Sequence, residues 1–181
     1  MTLATPVGAR DHVQGSASAR VTLLEYGDYE CPGCGRAYPI IKAVQKAFGP
    51  NLRFVFRHFP LVTSHPHAVK AAEAAEAADA QGKFWAMHDR LFEHQDALDD
   101  MDLRRHARKI GLDLERFEQD LRGQALQARV RSDAEEGLRS GVNGTPTLFI
   151  NGVGYSGKLE REALVLALAR AALKAAPPVP A

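Results

Sequence analysis

The two cysteines of the sequence, Cys31 and Cys34, lie three residues apart in Cys-Pro-Gly-Cys. Positions i and i+3 at the start of a helix share one face, at a Cα separation within the roughly 4.4–6.8 Å that a disulfide accepts. A bridge between them would close a loop too small to restrict the unfolded chain, so it would add little stability. The pair is therefore predicted to do chemistry, as a disulfide that forms and opens reversibly.

The expected surroundings predict different tasks for the two sulfurs. At a helix start, the first sulfur lies near unpaired backbone N–H groups and the positive end of the helix dipole, which favour the thiolate. Cys31 is therefore predicted to have a lowered pKa and to attack, while Cys34 is the more shielded, resolving thiol. Pro32 suits the first helical position, and Gly33 places no side chain over the sulfurs. Because neither intervening residue is cationic, we expect a less strongly oxidising pair than one with a cation there.

A metal site is the alternative for this pair. The histidines available as further zinc ligands are His58, His65 and His67. The sequence has no second Cys-x-x-Cys, and two cysteines are too few to complete a typical structural zinc site. We therefore predict redox chemistry that requires no metal and no organic cofactor.

Two further positions could assist the cysteines. Thr145-Pro146 stands directly before an apolar run, and a proline there cannot donate to a strand ladder. A cis bond before Pro146 would bring the backbone of Thr145 towards the sulfurs, where it could align an extended peptide. Only about 5–6% of X–Pro bonds are cis, so the local expectation is trans. Glu25, on an otherwise apolar strand, is either a buried carboxylate that relays the proton of Cys34 or a strand-end residue that reaches solvent.

The elements that position these residues alternate between strand and helix. Residues 21–26 form a predicted strand, a helix opens at Cys31 and Pro32, and residues 52–59 form a second strand, which gives a parallel βαβ unit. Helical periodicity then predicts an insertion of several helices. After it, residues 147–150 are β-rich, and Asn151-Gly152 predicts a hairpin before a final helix.

This pattern divides the chain into five predicted parts. They are a loosely held leader (1–19), an N-terminal βαβ unit (20–64), an all-helical insertion (65–141), a C-terminal ββα unit (142–175) and a tail (176–181). The fold class is therefore predicted to be α/β.

Composition gives little support for several partner classes. The 23 basic and 22 acidic side chains leave a net charge of +1, which provides no electrostatic reason to expect nucleic acid or an anionic membrane as partner. No run approaches the ~20 apolar residues of a membrane span, and the N-terminus lacks the features of a signal peptide. As given, the chain is expected in the cytoplasm. A chain whose export signal had been removed would look the same and would be periplasmic or exported.

Three motifs in combination resemble the DsbA-like branch of the thioredoxin superfamily, in its short bacterial form. They are Leu24-Glu-Tyr-Gly-Asp-Tyr-Glu-Cys-Pro-Gly-Cys34, Phe54-Val-Phe-Arg-His-Phe-Pro-Leu61 and Gly144-Thr-Pro-Thr-Leu-Phe-Ile-Asn-Gly152. The resemblance implies a thioredoxin fold with a helical insertion, and a thiol–disulfide oxidoreductase that acts on protein or peptide thiols and has a redox-recycling partner. Its implied site is Cys31 as nucleophile, Cys34 as resolving thiol, Pro146 as a cis-proline facing them, Thr145 as the residue whose backbone contacts substrate, and Glu25 as the buried acid.

The resemblance leaves the direction of electron flow open, because its members include oxidases, isomerases and reductases. A hypothesis from another class is a thioredoxin-like binding module whose thiols are idle or hold zinc. A third is an enzyme acting on a small electrophile such as a glutathione conjugate. A thiol pKa near the free-cysteine value of about 8.5 would favour the binding module.

Overall fold

A mixed five-stranded sheet forms the centre of the fold in the computed structural model, which describes residues 1–175. The strands are β1 (His12–Gln14), β2 (Val21–Gly27), β3 (Leu52–His58), β4 (Thr147–Ile150) and β5 (Val153–Gly154). The helices are α1 (Pro32–Phe48), α2 (Ala68–Asp79), α3 (Phe84–Glu93), α4 (Asp100–Lys109), α5 (Leu114–Arg122), α6 (Ala125–Arg139) and α7 (Arg161–Lys174). The predicted order of βαβ unit, helical block and ββα unit is the order observed.

The sheet order is β1-β3-β2-β4-β5, with β2 and β3 parallel and the other neighbouring strands antiparallel. Successive side chains alternate between its two faces. Leu23 and Phe54 belong to the larger core, which contains buried residues of α1, α7 and the helical block. Leu24 and Val55 belong to a smaller core on the opposite face, covered by N-terminal residues and α6. The central strands are therefore buried on both sides, as their nearly continuous apolar sequence requires.

The helical block lies between β3 and β4. The alanines of α2 are all buried, and their small side chains let α3, α5 and α6 pack closely around this helix. Two of the helices begin at aspartates that satisfy free backbone N–H groups: Asp99 accepts from Asp102, and Asp113 accepts from Arg116. Within residues 1–175, no helix has the length and apolar character needed to cross a membrane.

The prediction of a loosely held leader (1–19) is wrong, because the N-terminal residues pair with the sheet. β1 pairs antiparallel with β3, and Thr2 forms an isolated bridge with Val153. The carboxylate of Asp11 accepts a hydrogen bond from the buried Arg57 at 2.7 Å. A three-residue edge strand is too short to show a period of two, so its pairing with β3 was invisible in the sequence.

The hairpin predicted at Asn151-Gly152 is observed. The β4–β5 hairpin turns at Asn151 (φ 48°) and Gly152 (φ 80°), the two positive angles of a type I′ turn. The assignment of residues 20–64, 65–141 and 142–175 to separate units stays a prediction, and the predicted tail, residues 176–181, lies outside the described residues.

Candidate active site

Cys31 caps the N-terminus of α1. Its backbone is extended (φ −72°, ψ 121°), its carbonyl oxygen accepts from the N–H of Gly35 at 3.0 Å, and Pro32 is the first helical residue. The first turn, all of which the structure describes, has no acidic side chain. The Cys31 side chain therefore lies at the positive end of the helix dipole, with no carboxylate in that turn to offset it.

The two thiols lie in different environments. Both are free, and Cys31 is 7% exposed whereas Cys34 is fully buried. A hydrogen bond from the Cys34 side chain lowers the pKa of Cys31 to about 5; burial opposes this, and backbone N–H groups of α1 assist it. Burial raises the pKa of Cys34 far above its ordinary value, and its bond to Cys31 and the charge of Glu25 add to the rise. At neutral pH Cys31 is thus a thiolate and Cys34 a thiol.

The loop before β4 faces these sulfurs. The Thr145–Pro146 bond is cis, whereas its local sequence context favoured trans. In its thiol form, Cys31 donates to the carbonyl oxygen of Thr145 at 3.3 Å. A Cβ on Gly33 would lie 3.1 Å from Pro146 Cδ and 3.4 Å from Cys31 Sγ, so the helix start and the proline are in close contact. The structure thus brings Cys31, Cys34, Gly33, Thr145 and Pro146 together, while Pro32 is exposed beside them.

Glu25 lies beneath the cysteines on β2, on the sheet face that packs against α1. It pairs with Phe56 on one side and Leu148 on the other, and is only 2% exposed. Its Oε1 atom is buried without a hydrogen-bond partner among the described residues. Burial, and then the charge of Cys31, raise the pKa of Glu25 to about 8. The alternative of a glutamate that reaches solvent is wrong, and the carboxyl group is close enough to interact electrostatically with both thiols.

Asp28, which the sequence did not single out, organises the turn between β2 and α1. Its buried carboxylate accepts from the backbone N–H groups of Glu30 and Leu61, both at 2.8 Å, and bonds to His65 Nδ1 at 2.7 Å. Although burial opposes protonation of His65, its bond to Asp28 raises its pKa, and the charge of Cys31 contributes. Asp28 therefore holds the His65 imidazole against the turn between β2 and α1.

The zinc alternative finds no support in the geometry. Among residues 1–175, the one group of three or more potential metal ligands is His12, His58 and Glu76, without either cysteine. Glu76 Oε1 bonds to His12 Nε2 at 2.6 Å and to His58 Nε2 at 2.8 Å, and Arg129 Nε lies 3.9 Å from Glu76 Oε2. Burial opposes ionisation of Glu76, but the two histidines outweigh it and lower its pKa. This group is a buried hydrogen-bonded network that links β1, β3 and α2.

Gln95 is the second residue that the sequence did not single out. It lies between α3 and α4, and its side-chain amide donates to the carbonyl oxygens of Tyr29 and Cys31. No local pattern marks such a residue, because its partners are more than 60 positions away in the chain.

Known proteins with a similar sequence or structure cover most of the chain. Residues 8–170 match the family model described as Thioredoxin. A thioredoxin-like oxidoreductase from Silicibacter pomeroyi DSS-3 is 30% identical, with a TM-score of 0.82 over 93% of this chain and 95% of that chain. BdbD from Bacillus subtilis, in its oxidised form, is 23% identical, with a TM-score of 0.80 over 91% of this chain and 94% of that chain.

Curated relatives with higher identity are longer proteins. The Na(+)/H(+) antiporter NhaA 1 of Mycobacterium sp. (strain KMS) is 47% identical over 171 residues, which are 93% of this chain and 28% of that protein. The chain therefore spans about a quarter of the length of this curated relative.

The family match and the solved structures agree on the fold. The match to the Thioredoxin model covers well over half of the chain, and the similarity to the Silicibacter pomeroyi oxidoreductase extends over nearly all of both chains. The sequence resemblance and the predicted thioredoxin fold with inserted helices are confirmed. The fold is also that of alpha-DsbA1 from Wolbachia pipientis, which is 20% identical, with a TM-score of 0.80 over 95% of both chains. The chain belongs to the thioredoxin family.

Proposed function

We propose that this protein is a thiol–disulfide oxidoreductase that exchanges disulfides with protein or peptide thiols through Cys31 and Cys34. The observation that carries the proposal is the contrast between the two thiols at one helix start. The pKa of Cys31 is lowered to about 5, and burial raises that of Cys34 well above its ordinary value. A stable thiolate beside a protonated partner is what a nucleophile and its resolving thiol require.

The exchange proceeds in two steps. In the reductive direction, the Cys31 thiolate attacks one sulfur of a substrate disulfide, forms a mixed disulfide and releases the other substrate sulfur as a thiolate. Cys34 then loses its proton and attacks Cys31, which forms the Cys31–Cys34 disulfide and releases the second substrate thiolate. The oxidative direction is the same sequence reversed, so no external oxidant or reductant enters either step.

Glu25 is proposed to accept and return the proton of Cys34. A pKa of about 8 lets its carboxyl group exchange a proton near neutral pH. Because Glu25 is buried, the proton moves without exposing Cys34 to solvent.

Thr145 and Pro146 are proposed to align the substrate. The carbonyl oxygen of Thr145 faces Cys31 and accepts a hydrogen bond from its sulfur at 3.3 Å in the thiol form. An extended peptide that pairs with the backbone at residue 145 would place its own sulfur beside Cys31. This recognition depends on main-chain groups, so it suits substrates of varied sequence.

The proposal concerns the matched segment and does not extend to the antiport for which the longer relatives are named. The direction of exchange is left open, because it depends on the redox potential of the pair against that of its surroundings. The compartment, cytoplasmic as given or periplasmic if an export signal has been removed, stays a prediction.

Two variants test the proposal. Cys31→Ser should abolish disulfide exchange with a peptide substrate, because the attacking sulfur is lost. Cys34→Ser should accumulate mixed disulfides on Cys31, detectable by non-reducing electrophoresis and mass spectrometry, because the resolving step is blocked. Exchange at the wild-type rate in both variants, or a Cys31 pKa near about 8.5, would contradict the proposal and favour a binding module with idle thiols.

A further inference from the structure

The side chain of Gln95 connects the helical block to the turn that carries Cys31. Its Nε2 atom donates to the carbonyl oxygen of Tyr29 at 2.7 Å and to that of Cys31 at 2.9 Å. These two carbonyl groups stand at either end of the short segment through which the chain enters α1. One amide group from the insertion therefore holds both ends of this segment.

Helix α1 has a glycine at the point where this amide lies. A Cβ on Gly35 would be 1.9 Å from Gln95 Oε1 and 2.7 Å from Gln95 Cδ, which is closer than nonbonded atoms approach. The N–H of Gly35 donates to the same Cys31 oxygen at 3.0 Å. The oxygen of Cys31 thus accepts from α1 and from the insertion together, and a side chain at position 35 would displace one of these donors.

The segment that carries Gln95 is itself held in place. His94 Nδ1 bonds to the carbonyl oxygen of Arg90 at 2.9 Å, and the N–H of Ala97 donates to the carbonyl oxygen of His94 at 3.0 Å. Gln95 is half-buried between these contacts. Its amide is therefore a fixed donor, held by bonds on both sides of it in the chain.

We propose that Gln95 is a positioning residue for thiol exchange, because its amide fixes the turn that holds the Cys31 sulfur against the backbone N–H groups of α1. This inference rests on the function proposed above. Without the amide, the turn has more freedom and the sulfur spends less time aligned with its donors, which disfavours the thiolate. Gln95 thus acts on the active site through the backbone, because its side-chain amide is uncharged.

The test compares Gln95→Met with Gln81→Met. Methionine has a similar length and no amide donor. Gln81 is a matched control, since its side-chain amide also bonds to backbone groups within the insertion. Its Nε2 donates to the carbonyl oxygen of Asp113 at 3.2 Å, and its Oε1 accepts from the N–H of Asp113 at 2.9 Å.

The readouts are the titration of Cys31 by thiolate absorbance and the equilibrium constant for disulfide exchange with glutathione. In Gln95→Met, the thiolate fraction at acidic pH should fall about threefold to tenfold, the effect of losing one or two hydrogen bonds. In Gln81→Met, both readouts should stay within about twofold of wild type.

A double-variant cycle separates positioning from general loss of stability. Gly35→Ala should reproduce the shift of Gln95→Met, because the new methyl group displaces the amide. In a Gln95→Ala background the space is free, so Gly35→Ala should cause no further shift. Should Gln95→Met fail to fold, this double variant decides the question.

A folded Gln95→Met or Gln95→Ala protein with the wild-type Cys31 titration and glutathione equilibrium would overturn the inference. If the wild-type protein itself exchanges no disulfides and titrates near about 8.5, the proposed function fails instead. The two failures are therefore distinguishable.

Discussion

Replacing Cys34 by alanine removes the side chain that contributes most to the acidity of Cys31. A hydrogen bond to a charged group contributes about 1.5–3 kcal/mol, and one pKa unit corresponds to about 1.4 kcal/mol. Losing this bond should therefore raise the pKa of Cys31 by roughly one to two units. From a starting value of about 5, the Cys34→Ala variant should titrate at roughly 6–7.

Cys34→Ser is the matched control for this change. Its hydroxyl group can still donate to the Cys31 thiolate, so the pKa should stay within about half a unit of wild type. The measurement is the pH dependence of thiolate absorbance in the reduced proteins. Only one cysteine is present in either variant, so the titration belongs to Cys31 without further assignment.

Two outcomes would refute this reasoning. If Cys34→Ala titrates at the wild-type pKa, then the backbone N–H groups of α1 suffice to hold the thiolate, and the role assigned to Cys34 is wrong. If alanine and serine at position 34 give equal, raised values, then the volume of the buried sulfur matters and its hydrogen bond does not.

The remaining predictions concern redox poise and pH. The pKa of Cys31 is lowered to about 5, whereas the corresponding cysteine of thioredoxin has a pKa of about 7. At pH 7 this difference stabilises the reduced form of the pair by ~2 kcal/mol relative to that of thioredoxin. The redox potential is therefore expected ~50 mV above the value of about −270 mV for thioredoxin. Equilibration with glutathione buffers measures this potential, and a value at or below that of thioredoxin would contradict the estimate. Burial raises the pKa of Glu25 from 4.5 to about 8, so the folded state loses stability as pH rises through that interval. Glu25→Gln should remove this loss of unfolding free energy, ~3 kcal/mol at pH 7, as measured by urea unfolding of the reduced protein. The same variant should slow the attack of Cys34 on the mixed disulfide. An unchanged pH dependence of stability would show that Glu25 does not titrate in that interval.

Features governed by neighbouring residues could be predicted from the sequence. The spacing of Cys31 and Cys34, with Pro32 at the first helical position, defined the start of α1. Asn151-Gly152 defined the hairpin, since these residues adopt its positive φ angles at little cost. In these cases the chemistry that shapes the backbone lies within a few residues of the structure it produces.

Features governed by distant contacts could not be predicted from the sequence. β1 exists because β3 offers a free edge, and the residues of β1 alone do not reveal it. Asp28 and Gln95 act on backbone groups of other segments, and polar residues with such partners look like surface residues in the sequence. The cis geometry of Pro146 was likewise unfavoured locally and was expected only from the family resemblance.

The contact between Gly33 and Pro146 limits what can be learned from exchanging the two residues between the cysteines. Any side chain at position 33 brings a Cβ to within 3.1 Å of the proline ring, so α1 and the loop before β4 must move apart by a few tenths of an ångström. A histidine introduced there would alter the width of the substrate cleft as well as the local charge. Variants at Pro32, which is exposed, change charge without that widening and give the cleaner measure of electrostatics alone.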